Sequence, residues 1–125
     1  MKKIKMKGDF KIVVDRLDES TGLYKNDVIT VKGFMYQVGS YQFFIHWNRR
    51  FNRIDITESS TGFRVRKVKR NVGESLKQYH DRIIEEMKGI KIPHCNLEVA
   101  KSMMKRDGIS YPLNEWIDNL KDVNK

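Results

Sequence analysis

A chain of 125 residues, 39% hydrophobic and 10% aromatic, is long enough for one domain with a real core and too apolar for a disordered segment. Its 25 basic and 16 acidic residues leave a net charge of +9, a field that points to nucleic acid, an acidic protein surface or anionic lipid. The one cysteine, Cys95, excludes an internal disulfide framework and fits a reducing cytoplasm.

In chain order, the opening "MKKIKMKGDFKIVV" is basic but lacks the apolar stretch of a signal peptide. No apolar run approaches the ~20 residues that span a bilayer. The expectation is a cytoplasmic protein with no membrane partner. "DFKIVVDRLD" is rich in β-branched residues, and "DVITV" follows it after a loop carrying "STG". "FMYQV" and "YQFFIHW" are joined by Gly39-Ser40, a two-residue link suited to a hairpin turn. "RIDITE" meets "FRVRKV" across Ser59-Ser60-Thr61-Gly62, a second hairpin. The likeness of "ESTGLY" to "ESSTGFR" is read as shared turn chemistry rather than as a duplicated unit.

From Gly73 to Lys88 the period changes. Leu76, Tyr79, His80, Ile83 and Met87 recur at helical spacing, with Gly89 at the C-terminal end. Asn96 is placed to cap a second helix carrying Val99, Ala100, Met103 and Met104, with Gly108 ending it. Ser110 and Pro112 open a third, striped by Leu113, Trp116, Ile117 and Leu120. The predicted fold is α+β: an antiparallel β-meander of four to six strands, then two or three helices packed on one face. It forms a single domain over 1–125, β-rich over 1–70 and helical over 73–121.

The charge is not spread evenly. Residues 49–70 hold eight basic and two acidic residues, a surplus of six, while residues 73–125 hold nine of each. The eight are Arg49, Arg50, Arg53, Arg64, Arg66, Lys67, Lys69 and Arg70. Alternation puts Tyr41, Phe43, Ile45, Trp47, Ile54, Ile56, Phe63 and Val65 on the face under the helices. It puts Phe44, His46, Asn48, Arg53, Thr57, Arg64 and Arg66 on the other. Val68 breaks the parity, so a bulge is expected near Arg66-Lys67. Arg matches phosphate and carboxylate bidentately, and Arg beside Phe44 and His46 suits a surface that takes phosphates and stacks a base. The predicted binding site is those eight cations with Phe44 and His46.

Enzyme signatures are missing. There is no phosphate-binding loop, no dinucleotide fingerprint, no zinc-protease helix and no nucleophile elbow. His94 beside Cys95 has no second cluster to complete a metal site. "HWNRRFN" invites comparison with a His-Asn-His nuclease hairpin, with His46, His80, Asp55 and Glu58 as the groups to be drafted. The expectation is no catalytic residues, no metal and no cofactor.

Residues 51–83, "FNRIDITESSTGFRVRKVKRNVGESLKQYHDRI", resemble a pattern in small uncharacterised accessory proteins of Gram-positive bacteriophages and mobile elements. The likeness is carried by Ile56, Thr57, Glu58, Ser60, Thr61, Gly62 and Phe63. It implies an anti-defence context, including anti-CRISPR-like inhibition, acting on a host defence protein or on nucleic-acid machinery. Together these readings predict a non-enzymatic protein that docks a basic hairpin on nucleic acid or a nucleoprotein complex such as a CRISPR effector. The alternatives are an inhibitor whose basic face meets an acidic patch of a host enzyme, and a small metal-dependent nuclease.

Overall fold

The computed structural model describes residues 2–118. Five strands come first: β1 (Lys2–Asp18), β2 (Leu23–Val38), β3 (Tyr41–Asn48), β4 (Arg53–Glu58) and β5 (Arg64–Val68). Two helices follow, α1 (Leu76–Lys88) and α2 (His94–Arg106). The strands lie side by side in chain order, each antiparallel to its neighbour. This is the α+β meander that the alternation predicts. The pieces "DVITV" and "FMYQV" belong to one strand, with Gly33 inside it.

β1 and β2 pair from Met6↔Met35 to Asp18↔Leu23, but β2 meets β3 only through Phe34–Val38. The remainder is a two-stranded ribbon. Gly8 and Gly33 face each other in it, just where β2 leaves β3. A Cβ on Gly33 would stand 2.4 Å from the Ile45 carbonyl oxygen, so only bare backbone can pass there and bend. Beyond the bend the ribbon folds back over the sheet. Phe10 stacks on Phe44 with ring centroids 5.0 Å apart, and the Val13 N–H donates to the Gly62 carbonyl at 2.9 Å.

Each face of the sheet therefore acquires a core. On one side α1 lays Tyr79, Ile83, Ile84 and Met87 against Tyr36, Phe43, Ile45, Ile56 and Val68. On the other, Phe10 and Ile12 from the ribbon cover Met35 and Phe44, with Ile117 packed against them. α1 starts at a capping box in which Ser75 and Gln78 satisfy each other's backbone N–H groups. Before it, Arg82 grips Glu74 through Nε and Nη2, which holds the Glu74 carboxyl down at about 2. α2 begins at His94 after Pro93, two residues before the predicted cap at Asn96.

The predicted third helix does not form over 110–118; Leu120 lies outside the described residues. Pro112 lacks an N–H and pushes its predecessor away from helical geometry, and the sheet offers the backbone other partners. Gln42 pairs its side-chain amide with both the N–H and the C=O of Ile117, at 3.0 and 2.7 Å. Asn114 donates to the Lys11 and Ser59 carbonyls and accepts from the Lys11 N–H. The Leu113 N–H donates to the Ser60 carbonyl. The segment is a strap across the open edge of β1.

At the far end of the β4–β5 ladder the Tyr79 hydroxyl stands in for a backbone bond. It accepts from the Ile54 N–H at 2.9 Å and donates to the Val68 carbonyl. Tyr79→Phe would leave both backbone groups buried without a partner, and a loss of about 1–3 kcal/mol is expected in urea unfolding. Gly33→Ala is expected to cost more or to prevent folding, because the atom in the way is backbone; an alanine variant with unchanged stability would show that β2 does not pass Ile45 this closely.

Candidate nucleic-acid interface

The register decides where the cations go. The β4–β5 pairing shifts between Ile56↔Arg66 and Thr57↔Arg64, so Val65 is the bulged residue. Side chains directly opposite across a ladder share a face. Lys67 opposite Asp55 and Arg64 opposite Thr57 therefore lie on the ribbon side of the sheet. Arg66 opposite Ile56 lies on the α1 side, where its guanidinium is 3.7 Å from Glu86. The expectation that Arg64 and Arg66 share a face is corrected: the bulge falls between them, one residue earlier than predicted.

Phe44 and His46 are not surface residues. Phe44 is wholly buried beneath Phe10, and His46 is buried beside it with ring centroids 6.3 Å apart. Period-2 alternation marks two faces but does not say that the polar one meets water; here the ribbon covers it. Arg53 is buried as well. Its Nε donates to Asp55 at 2.8 Å, and its guanidinium lies 4.6 Å from the Phe51 ring centroid.

Asp55, only 4% exposed, is the centre of this corner. Besides Arg53 it accepts from the Asn48 side-chain amide at 2.9 Å, and it lies 3.9 Å from Arg64 and 4.0 Å from His46 Nε2. Asn48 in turn accepts the Phe51 N–H at 3.3 Å, and Asn52 completes the β3–β4 turn with φ at 53°. The turn is thus built from the buried carboxylate outward. It presents Arg49 and Arg50 to solvent, with the Arg50 guanidinium 5.3 Å from the Phe51 ring.

β5 runs back toward the same end of the sheet, since Val68 pairs with Ile54. Lys67, Lys69 and Arg70 are exposed there. Arg70 donates to the Glu74 backbone carbonyl at 2.7 Å, and the Lys69 carbonyl accepts from Arg82. Among the described residues, no carboxylate lies within ion-pair distance of Arg49, Arg50, Lys67, Lys69 or Arg70. The structure brings these five cations to one end of the sheet, sets Arg64 and Arg53 around Asp55, and turns Arg66 toward α1.

The aromatic residues of this corner are Phe51, 48% exposed, and Trp47, 46% exposed. Neither belongs to the predicted site. The signal is present in "HWNRRFNR", where a turn interleaves aromatics with Arg, whereas strand alternation alone points to Phe44.

The nuclease arrangement does not assemble. His46 faces the ribbon, whereas the His80 imidazole is bonded to the Tyr36 hydroxyl at 3.1 Å on the α1 side. Glu58 is committed to the β4–β5 turn, taking the Ser60 and Thr61 N–H and hydroxyl groups. Among the described residues, no three His, Cys, Asp or Glu side chains gather into a metal-binding group. Nor is any helix among them long and apolar enough to cross a membrane.

Burial pushes the His46 imidazole below its ordinary value of 6.5, with Asp55 opposing the shift and Arg64 adding to it. Its Nδ1 has no hydrogen-bond partner among the described residues. A folded-state value below the unfolded one contributes stability above the unfolded pKa, and that contribution is lost as pH falls through the folded value. Urea unfolding is therefore expected to show stability falling as pH drops below about 6.5. His46→Gln should flatten the slope in that window; an unchanged slope would mean that another group carries it.

No protein-family model, no curated protein and no solved structure matches this chain.

Proposed function

We propose that the chain is a non-enzymatic binding protein that docks the β3–β4 turn and the end of β5 on nucleic acid. The observation that carries this reading is the cluster of Arg49, Arg50, Lys67, Lys69 and Arg70, five exposed cations with no carboxylate within ion-pair distance among the described residues, of which Arg70 alone feels a nearby acid, Glu74. Both carboxylates of the 49–70 segment, Asp55 and Glu58, lie inside the protein, at 4% and 5% exposure. They build the fold and do not screen the surface. A single-sign field of this density attracts a polyanion at long range. Phe51 beside Arg50 adds an apolar ring on which a base can stack.

In this proposal the chain is an accessory or anti-defence factor, and the nucleic acid belongs to a nucleoprotein such as a CRISPR effector. That setting is supported by the likeness of residues 51–83 to proteins of phages and mobile elements. The competing reading replaces nucleic acid by an acidic patch on a host enzyme. A complex that survives nuclease treatment would favour it.

A salt-titrated gel shift with single-stranded DNA, duplex DNA and RNA tests the proposal. Affinity for duplex is expected to fall with salt at a log–log slope of roughly −0.9 per phosphate neutralised. The double variant Arg49→Glu/Arg50→Glu should lose binding with an unchanged circular dichroism spectrum, because neither side chain supports the fold. Arg53→Glu should instead unfold the corner, since it places a second carboxylate beside buried Asp55. Binding that is insensitive to salt, or retained by the double variant, would overturn the reading.

A further inference from the structure

α2 has an apolar face without a partner. Of its 13 residues only Met104 is buried, whereas α1, of equal length, buries Tyr79, Ile83, Ile84 and Met87. α2 is held mainly through its C-terminal half. The Asn26 N–H donates to Asp107, one residue past its end, and the Lys101 ammonium lies 4.6 Å from the Tyr111 ring centroid. Helices in folded proteins owe most of their stability to a packed apolar stripe, and this one leaves Val99 59% exposed.

Between α2 and β5 runs an open cleft of about 400 Å³, within the roughly 300–1,000 Å³ of ordinary binding sites. The strand side supplies Phe63 and Val65, and the helix side supplies Leu97, Val99 and Met103. A shallower depression continues it past Val99 and Met103 toward Arg106. The walls are apolar on both sides.

The charges at its border choose the occupant. Arg64, Arg66 and Lys91 line the cleft together with one carboxylate, Glu58. Glu58 is buried and satisfied by Ser60 and Thr61. Arg64 and Arg66 sit at the long limit of an ion pair, 3.9 Å from buried Asp55 and 3.7 Å from Glu86. Lys91 has no carboxylate within that distance among the described residues, so the lining that a ligand meets keeps a cationic surplus. An apolar trough with a cationic rim complements a segment in which apolar side chains alternate with carboxylates.

The form of that segment follows from β5. The strand has five residues, is bulged at Val65 and carries Arg64, Arg66 and Lys67. Short, bulged and charged edges resist the flat addition of another strand. A second copy of the chain would bring the same cations against them. A duplex would meet the rim but leave both apolar walls uncovered. We infer that the β5–α2 cleft is a docking groove for a short extended peptide of a partner protein, with apolar residues seated between Val65 and Val99 and flanking carboxylates paired with Arg64, Arg66 and Lys91. The groove is separate from the β3–β4 turn, so one chain can hold a nucleic acid and an acidic peptide at two surfaces.

Fluorescence anisotropy with two labelled peptides tests this, one alternating valine with glutamate and the other alternating valine with lysine. The glutamate peptide is expected to bind and the lysine peptide not to. Val99→Glu, at an exposed helix position, should weaken binding by about tenfold or more without altering helix content, and Arg66→Glu should weaken it as well. Arg49→Glu/Arg50→Glu should leave peptide binding intact, which separates this groove from the nucleic-acid reading. The inference is overturned if neither peptide binds, if both bind equally, or if Val99→Glu has no effect. It is also overturned if sedimentation shows that Val99→Glu abolishes self-association, since the groove would then be filled by another copy of the chain.

Discussion

The close passage of Gly33 over the Ile45 carbonyl governs the architecture. It lets β2 leave β3 and carry β1 back over the sheet, so that Phe10 reaches Phe44. A five-stranded meander with helices on one face would otherwise expose its second face to water, the usual arrangement of antiparallel sheets. Here that face is an interior, and each large side chain buried in it adds about 1.5–3 kcal/mol. With both faces closed, groups available to a partner are confined to turns, edges and strand ends, which is where the exposed cations and Phe51 are found.

The two turns that frame this arrangement share a local chemistry. Asp18-Glu19-Ser20-Thr21-Gly22 and Glu58-Ser59-Ser60-Thr61-Gly62 follow one pattern: acid, any residue, Ser, Thr, Gly. In each, the glycine N–H donates to the carbonyl of the acid four residues earlier, at 2.8 and 2.9 Å, and the glycine φ is 71° or 72°. In each, the acid's carboxylate takes the serine N–H and hydroxyl. These bonds lower the Asp18 pKa. Glu58 also takes the Thr61 N–H and hydroxyl. The first turn is exposed at the ribbon tip, and the second is buried under β1, where Gly62 meets Ile12 and Val13. Sequence dictates the turn; the ribbon dictates its burial.

Period-2 runs and Gly-containing links give the strands and their order, and Leu76–Met87 at helical spacing gives α1, because these signals are local. The coverage of Phe44 and His46 could not be read, since it depends on a bend set by two glycines far apart in the chain. The parity change at Val68 does reveal a bulge, but placing it at Val65 needs the β4 partner, and one residue moves Arg66 to the other face. The stripe from Leu113 to Ile117 looks helical because apolar spacing cannot distinguish a helix from a strap whose backbone is satisfied by Gln42 and Asn114. The end of the sheet was identifiable as cationic; which cations stay unpaired was not.

What links the interior to the candidate surface is Asp55. A buried carboxylate is costly unless it is fully engaged, and this one is engaged by Arg53 and Asn48, with Arg64 and His46 close by. Asn48 then fixes the turn through the Phe51 N–H, and Arg53 stacks under the Phe51 ring. The residues that hold the turn are therefore already ordered before any partner arrives. A partner that binds Arg49, Arg50 and Phe51 meets a preformed backbone, so less of the binding free energy is lost to ordering. The acid whose charge opposes the cationic field is what gives it a fixed shape.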